Sequence, residues 1–149
     1  MTDSRHLEGL ARAYRQAPIS RWQGTDMSVS DGEAEVRVTV RAEMLHAAAA
    51  LHGSIYFRLL DDAAFFAANS RIEDVLVLTL SFSVQFFRPV TDGELVARGR
   101  IRHVSGRILH CDSDLWDDGG RLCATGRGTF IRSQIPLTSL PGYASGESS

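Results

Sequence analysis

The sequence predicts an α+β protein in which an antiparallel sheet packs against one long buried helix. Two observations predict it. Segments that alternate apolar and polar residues are separated by turn signals at Asp31-Gly32, Asp92-Gly93 and Gly119-Gly120, and one continuous apolar stretch spans residues 52–70. Consecutive strands joined by short turns pair as antiparallel neighbours, and the apolar face of their sheet must be covered by another element. The length of 149 residues suits a single domain.

The chain begins with a short amphipathic helix over residues 4–16, where Leu7, Leu10, Ala11 and Tyr14 recur at helical spacing. Pro18 ends this helix, because the residue before a proline is pushed out of helical geometry. Residues 19–30 are weakly strand-like, and residues 34–40 alternate with period two. We therefore expect these two segments to form an antiparallel hairpin.

The segment from His52 to Ser70 predicts the central helix, because its apolar residues fall on every side of a helical projection. A helix that is apolar all round is expected to be buried all round. At about 1.5 Å per residue its length is roughly 25 Å, enough to cross a small domain.

Four strands follow the helix in the predicted order. They are expected over residues 75–88, 95–104, 108–116 and 121–131, arranged as a meander of neighbouring hairpins. After Ser133 the chain turns polar and ends in Gly146-Glu-Ser-Ser, which we expect to be frayed. The predicted organisation is an N-terminal helix (1–18), one α+β domain (19–133) and a C-terminal tail (134–149).

All 16 basic residues of the chain are arginines. The absence of lysine excludes Schiff-base chemistry, a pyridoxal linkage and a phosphate-loop lysine. The net charge of −2, without a basic cluster, argues against nucleic acid as a partner. The N-terminus has no apolar signal-peptide core. The most apolar stretch contains Arg58, Asp61 and Asp62, so we expect no membrane span and a cytoplasmic protein.

Asp61 and Asp62 are the main anomaly of the central helix, because a carboxylate in apolar surroundings is costly and has a raised pKa. Adjacent residues lie about 100° apart around a helix, so one acid is free to pair with an arginine from the strands while the other faces a cleft. His52-Gly53-Ser54 precedes them at the helix N-terminus, where free backbone N–H groups can bind an oxyanion. Equally, His52 can be a buried structural histidine and Gly53 a backbone requirement.

The segment from Leu51 to Ser70 resembles the signature of PaaI-like hotdog-fold acyl-CoA thioesterases. That family shows an H-G-G motif, a carboxylate nine residues after the histidine, and often a terminal A-x-N-S. Phe87-Arg88-Pro89, His103 to Arg107 and Gly126-Arg-Gly-Thr-Phe130 resemble its later strands and turns. The likeness covers roughly residues 20–132. It implies a hotdog fold, in which about five to six antiparallel strands wrap around the central helix.

The resemblance implies hydrolysis of an acyl-CoA to a free acid and CoA. Asp61 matches the catalytic carboxylate, which acts as a general base or a nucleophile, and Gly53 matches the residue whose N–H polarises the thioester carbonyl. Thr79 matches a hydroxyl that orients water or the carboxylate, and His52 supports the turn. His46 stands where many members have asparagine, so it becomes the candidate donor to the carbonyl. Substrate contacts are expected at Ser54, Arg88, Gly106 and Arg107.

The family also implies active sites shared between two subunits, hence a homodimer or a dimer of dimers (a homotetramer). No cofactor and no metal are expected, since a thiolate leaves without prior protonation and coenzyme A is part of the substrate. Two positions depart from the family pattern. Ser54 replaces the second glycine of H-G-G, and Ala47–Ala50 replace a loop that usually contains glycine.

Several alternatives stay open or fail on spacing. Groupings of His46, His52, Asp61 and Asp62, or of His110 with Cys111, have no recognised zinc spacing. The acidic run 112–119 fails the calcium-loop pattern at Trp116. Cys111 and Cys123 are expected to be structural.

The arginines at 98, 100 and 102 form either a solvated strand face or, with Arg88 and Arg107, a site for CoA phosphates. A hotdog hydratase or dehydratase, and a non-catalytic acyl-CoA-binding module, are the alternative functions.

Overall fold

A six-stranded antiparallel sheet curls around one long helix in the computed structural model, which describes residues 2–144. The helices are α1 (Ser4–Gln16), α2 (Pro18–Gln23) and α3 (Gly53–Asn69), and the strands are β1 (Asp26–Ser30), β2 (Glu33–Thr39), β3 (Val75–Phe86), β4 (Glu94–Ser105), β5 (Ile108–Trp116) and β6 (Leu122–Pro136). Short 3₁₀ turns lie at Ala42–Met44 and Leu137–Ser139. The predicted α+β class is confirmed.

The order of strands in the sheet is β1-β2-β4-β5-β6-β3. The β1–β2 hairpin and the run β4-β5-β6 match the prediction. The four-strand meander is wrong at β3, which pairs with β6 instead of with its neighbour in sequence, β4. Strand β3 therefore lies at one edge of the sheet, directly after α3 in the chain. The segment that links β3 to β4 must cross to the far side of β5 and β6.

Helix α3 packs its small residues against the inner face of the sheet. Ala63, Ala64, Ala67 and Ala68 are fully buried. Gly99 on β4 lies so close to the backbone of Ala63 that a Cβ at this position would overlap it. The expectation of burial on every side is wrong, however. One side of the helix is partly exposed to solvent. Phe57 is 41% exposed there, and Asp61 and Phe65, one and two turns further along the same side, are only partly buried.

The N-terminal region contains two helices where the sequence predicted one. Helix α1 is confirmed, and the Asp3 carboxylate caps it by accepting the N–H of Arg5 at 2.9 Å. Residues 18–23 form helix α2 instead of a weak strand. Pro18 begins α2, where its missing N–H is harmless, and Gly24 ends it in the left-handed conformation at φ 72°. Strand β1 then covers only the second half of the predicted 19–30 segment.

Strand β6 continues to Pro136, five residues beyond its predicted end at Ile131. Beyond the strand, Leu137 is fully buried, and the Tyr143 hydroxyl lies 2.6 Å from Nδ1 of His6 on α1. The segment 137–143 therefore packs against the N-terminal helix. The predicted frayed end, Gly146–Ser149, lies outside the described residues.

Candidate active site

The N-terminus of α3 is capped by His52, whose Nδ1 accepts the backbone N–H of Ser54 at 3.0 Å. The Ser54 hydroxyl also lies 2.9 Å from this nitrogen. Since Nδ1 accepts, the ring proton of the neutral histidine is on Nε2. His52 is exposed, so the alternative of a buried structural histidine is wrong. The residue supports the turn that directs the first N–H groups of α3 outward.

Gly53 opens onto a cleft of about 410 Å³ that it shares with His46 and Arg88. Tyr56, Phe86 and Phe87 supply its aromatic walls. The φ angle of Gly53 is not positive, and a Cβ there would meet only the Phe86 ring at an ordinary 3.5 Å. Free backbone N–H groups at a helix N-terminus carry partial positive charge, so this cleft can hold an anionic or developing negative oxygen.

His46 lies at the start of a tight turn beside Gly53. Its Nδ1 accepts the N–H of Ala48 at 3.0 Å, which leaves Nε2–H as a donor. The turn holds Ala49 at φ 65°, the one positive φ of a non-glycine residue between residues 2 and 144. A side chain in this region costs about 1–2 kcal/mol. The strain is located where the family loop usually has glycine.

Ser54 does not share the cleft of Gly53. Its side chain lines a separate hollow of about 300 Å³ with Trp22, Arg41 and Met44. The hydroxyl turns back toward its cap, His52. Ser54, for which the sequence predicts a substrate contact, therefore lines a different hollow from Gly53.

Asp61 lies in the middle of α3 and is only partly exposed. Its Oδ1 accepts a hydrogen bond of 3.0 Å from the Thr79 hydroxyl on β3. Burial, and to a smaller extent the neighbouring charge of Asp62, raise the pKa of Asp61 to about 6, although the Thr79 hydrogen bond opposes this. A carboxylate with a pKa just below neutral is mostly ionised at pH 7 and is a stronger base than a solvated aspartate.

Asp62 belongs to a buried network with Arg58 and Tyr14. Its Oδ2 lies 3.2 Å from the Arg58 Nε and accepts the Tyr14 hydroxyl at 2.7 Å. Burial raises the pKa of Asp62, while Arg58 and Tyr14 lower it. The predicted division between a paired and an unpaired acid is confirmed. The paired arginine comes from the same helix, four residues earlier, and not from the strands as expected.

The arginines of β4 are paired on the outer face of the sheet. Arg98 contacts Glu35 at 3.2 Å, and Arg100 and Arg102 both contact Asp112, at 3.2 and 3.6 Å. Their exposed, ion-paired state agrees with the solvated-face alternative. The two cysteines are buried and free. Burial raises the pKa of Cys111 to about 12, which makes it an inert thiol, as expected.

The sequence-predicted site residues form two groups in one chain. Asp61 and Thr79 are in hydrogen-bond contact, and Gly53, His46 and Arg88 share the other cleft. Asp61 lies eight positions after Gly53 in α3, which places the two residues about 12 Å apart along the helix axis. Gly106 and Arg107 lie in the exposed turn between β4 and β5. They line neither the cleft of Gly53 nor the cleft that Asp61 borders.

The Arg58 network was not identified from the sequence. A signal for it was present, since Arg58 and Asp62 are spaced i,i+4 in an otherwise apolar helix, where ion pairs form on one helix face. Within residues 2–144, no helix is long and apolar enough to cross a membrane. Over the same range, no group of three or more His, Cys, Asp or Glu side chains could hold a metal ion.

Comparison with known proteins identifies the family. The model of the thioesterase superfamily matches residues 48–124, and the chain belongs to this superfamily. It is 32% identical over 121 residues to the acyl-coenzyme A thioesterase PaaI of Escherichia coli, covering 80% of this chain and 85% of that protein. The chain is a PaaI-like hotdog thioesterase by family. Membership supports acyl-thioester hydrolysis in general.

Solved structures agree with this assignment. The E. coli PaaI protein of the phenylacetic acid degradation operon superposes with a TM-score of 0.82 over 91% of this chain and 99% of that chain, at 24% identity, and so supports the fold. A mutant of the phenylacetic acid degradation protein PaaI from Thermus thermophilus is 28% identical and gives a TM-score of 0.71, covering 78% of this chain and 100% of that one. The predicted hotdog fold is confirmed.

Proposed function

We propose that this protein hydrolyses acyl-CoA thioesters, with Asp61 as the reactive carboxylate and the N-terminus of α3 as the oxyanion site. The observation that carries the proposal is Asp61 itself, a partly buried carboxyl group whose pKa is raised to about 6. Within residues 2–144, its only side-chain hydrogen bond comes from Thr79. Such a group is matched to proton abstraction near neutral pH.

In the proposed reaction, Asp61 removes a proton from water as the water oxygen attacks the thioester carbonyl carbon. The carbonyl oxygen becomes an oxyanion that the Gly53 N–H stabilises, with the Nε2–H of His46 as a second donor. The C–S bond then breaks, the acid is released, and CoA leaves as a thiolate that takes up the proton. In the alternative covalent route, Asp61 attacks the carbonyl carbon itself, the C–S bond breaks and CoA leaves as a thiolate. Water then hydrolyses the mixed anhydride to the free acid and the Asp61 carboxylate, and the released proton goes to the thiolate.

Two copies of the chain are required, because about 12 Å of helix separates Gly53 from Asp61 and both must reach one carbonyl. We place a second copy along β3, whose outer edge has no partner strand in the described sheet. Leu78 and Leu80 on this edge strand are 45% and 53% exposed. An exposed apolar edge strand favours pairing with another chain. A twofold axis there would bring the Gly53 cleft of one copy toward Asp61 of the other.

Arg88 is the cation that we place on the phosphates of CoA. It is exposed and lines the same cleft as Gly53, whereas the arginines of β4 are already paired with carboxylates. Its planar fork suits a diphosphate. Replacement of Arg88 by methionine is therefore expected to raise the KM for acyl-CoA while leaving kcat little changed.

The first test measures thiol release from a panel of acyl-CoA thioesters. We expect turnover by the wild type and loss of nearly all of it in Asp61→Asn, whose amide can still accept the Thr79 hydrogen bond. Asp74→Asn, which removes an exposed carboxylate paired with Arg132, is the matched control and should stay active. A fully active Asp61→Asn variant rejects Asp61 as the base. Tight acyl-CoA binding without turnover would favour a binding module, and hydration of an enoyl-CoA without cleavage would favour a hydratase.

The oxyanion role is tested by Gly53→Pro, which removes the backbone N–H and puts the ring Cδ in its place. Proline is favoured at the first helical position, and the ψ of 140° at His52 suits a residue that precedes proline. Gly53→Ala keeps the N–H and is the matched control. We expect kcat to fall by about 10²–10³ in the proline variant only. Equal activity of the two variants would reject this N–H as the donor.

Mixing two inactive variants tests the shared site. A dimer formed from one Asp61→Asn chain and one Gly53→Pro chain has one intact site, composed of Gly53 from the first chain and Asp61 from the second. After random reassociation we expect about a quarter of the wild-type activity, since half of the dimers are mixed and each has one of two sites. No recovery, despite mixed dimers in solution, would place both groups in the same chain's site.

A further inference from the structure

The side chain of Asn69, the last residue of α3, is fully buried and hydrogen-bonded at both of its polar atoms. Its Nδ2 donates to the carbonyl oxygens of Ile72 and Val75, each at 3.1 Å. Its Oδ1 accepts the backbone N–H of Val77 at 2.8 Å. Val75 and Val77 are the first and third residues of β3. The Asn69 amide therefore ties the end of α3 to the start of β3.

The pairing of β3 with β6 is irregular on both sides of the short segment 77–79. One register shift precedes Val77, and another follows Thr79. Regular pairing with β6 therefore extends over only three residues of this segment. Irregularities of this kind bend a strand and change the direction of the side chains beside them. The hydrogen bond from Val77 to Asn69 is thus an additional constraint on where the segment lies relative to α3.

Helix α3 provides the partners of β3 at both ends of this segment. Asn69 holds Val77 at the end of the helix, and Asp61, near the middle of the helix, accepts the Thr79 hydroxyl at 3.0 Å. Alternate residues of a strand face the same side, so Val77 and Thr79 both face the helix. Val77 is fully buried in a core cluster with Ala64 and Ala68. A displacement of β3 at Val77 would therefore also move the Thr79 hydroxyl relative to Asp61.

We propose that Asn69 is a positioning residue for Asp61: its side-chain amide holds β3 against α3 in the place from which the Thr79 hydroxyl donates to the Asp61 carboxylate. The inference rests on the proposed function and adds a residue, remote from the reacting groups, that sets the pH range of the same site. A hydrogen bond to a carboxylate favours its ionised form. Loss of the Asn69 amide is therefore expected to make Asp61 harder to ionise.

The other ionisable side chains among the described residues that line the cleft of Asp61 are Asp62 and Arg58 on α3 and Tyr14 on α1. These three groups are bonded to one another. Arg58 is bonded in addition to three polar side chains of the N-terminal region, those of Ser20, Gln23 and Thr25. A substitution at Asn69 changes none of these groups. Its expected route to Asp61 is through β3 and the Thr79 hydroxyl.

The experiment measures the acid limb of kcat/KM for an acyl-CoA thioester in the purified full chain. Thr79→Val removes the hydroxyl and is the reference. It should move the limb to higher pH by about one unit, because hydrogen bonds to charged groups are the stronger ones. With a wild-type pKa of about 6 for Asp61, this lowers the relative rate at pH 6 about fivefold. Asn69→Ala should move the limb in the same direction by at least about half a unit.

The double variant Asn69→Ala/Thr79→Val should have the same acid limb as Thr79→Val alone. Both substitutions are expected to act through one hydrogen bond, and such effects are not additive. Two shifts that add in the double variant would overturn the inference. Asn69→Leu replaces Asn69→Ala in these measurements if the alanine variant does not fold, since leucine fills the space of the amide without a donor or an acceptor.

Ser70→Ala is the matched control, because Ser70 is the next residue and is equally buried. Its hydroxyl donates to the carbonyl oxygen of Ala67 at 2.7 Å and accepts the Gly32 N–H at 2.7 Å. It therefore ties α3 to the β1–β2 turn and not to β3. We expect both Asn69→Ala and Ser70→Ala to lower the melting temperature and only the first to move the acid limb. A limb that moves equally in the two variants, or in neither, would reject the positioning role.

Titration of the Asp61 carboxyl carbon by NMR separates failure of this inference from failure of the proposed hydrolysis, because it needs no turnover. The signal is identified by its loss in Asp61→Asn. A titration that moves to higher pH in Asn69→Ala, without turnover by the wild type, would reject hydrolysis and keep the positioning role. An unmoved titration in an active thioesterase would reject the positioning role and keep hydrolysis.

Discussion

Replacement of Asp62 by asparagine should move the acid limb of the pH–rate profile to lower pH. In the proposed reaction the reactive form of Asp61 is the ionised one, and with a pKa of about 6 it is about one-tenth ionised at pH 5 and nine-tenths ionised at pH 7. The wild-type kcat/KM should therefore rise about tenfold between these two values. Removal of the negative charge at Asp62 makes ionisation of Asp61 easier. It also leaves the positive charge of Arg58 unneutralised nearby, which acts in the same direction.

The size of the movement follows from the causes of the shift. The pKa of Asp61 is raised from 3.8 to about 6, with burial as the largest cause and Asp62 as the second. Burial, the larger of the two raising causes, remains in the variant, so we expect the limb to move by only part of the rise, about one pH unit. At pH 5 this corresponds to a gain of up to about fivefold in relative rate, measured against the plateau of each variant.

The assay follows the loss of thioester absorbance directly, so the detection chemistry does not change with pH. Asp62→Asn keeps an oxygen that can accept the Tyr14 hydroxyl. The control, Asp74→Asn, removes an equal charge at an exposed position and should leave the acid limb unmoved. An unchanged limb in Asp62→Asn refutes the electrostatic coupling of the two acids. A wild-type limb near 4 would refute the raised pKa itself.

Three stability predictions concern Asp61, Arg58 and Ala49. The folded-state pKa of Asp61 exceeds its unfolded value of 3.8, so the folded protein loses stability as pH rises from about 4 to 6. Asp61→Asn should therefore raise the free energy of unfolding at pH 7 by up to about 3 kcal/mol and change it little at pH 4. Urea denaturation at the two pH values measures this difference. Arg58→Met should destabilise by about 3–5 kcal/mol, because Asp62 stays buried without its partner; a loss under 1 kcal/mol would contradict this. Ala49→Gly should stabilise by about 0.5–1 kcal/mol by relieving its positive φ, and a lower melting temperature would refute the strain.

Most secondary structure was predictable from the sequence because periodicity reports directly on local geometry. Strand β5 matches its predicted bounds, and α3 differs from its prediction by one residue at each end. The position of β3 was not predictable in the same way, since alternation shows that a segment is a strand but not which strand it pairs with. Helix α2 was missed although Pro18 and Gly24 bracket it as start and stop signals. Its six residues are too few for a periodic pattern.

The candidate site was predictable only in parts. Two acids in an apolar helix and a His-Gly at its start are visible in the sequence, and the family resemblance supplied an expected role for each. The five acceptors around Arg58 come from α1, from α2 and the residue after Gly24, and from α3 itself, so no spacing in the sequence brings them together. The roles of Gly106 and Arg107 came from resemblance alone. Their exposed turn lines neither cleft, and the substrate contacts expected there stay predictions.

The two adjacent acids of α3 have opposite environments, and this difference explains why the fold tolerates both. Asp62 is paired with the charge of Arg58 and accepts a hydrogen bond from Tyr14, so its burial is compensated by contacts that also anchor the N-terminal helices. Asp61 has only a hydroxyl partner among the described residues, and its raised pKa measures the free energy that the folded chain loses when this group ionises. The fully buried alanines on the other side of the helix pack against the sheet and keep α3 in place despite that loss. A carboxylate that is ionised at neutral pH is therefore held at a position whose stability cost the rest of the helix offsets.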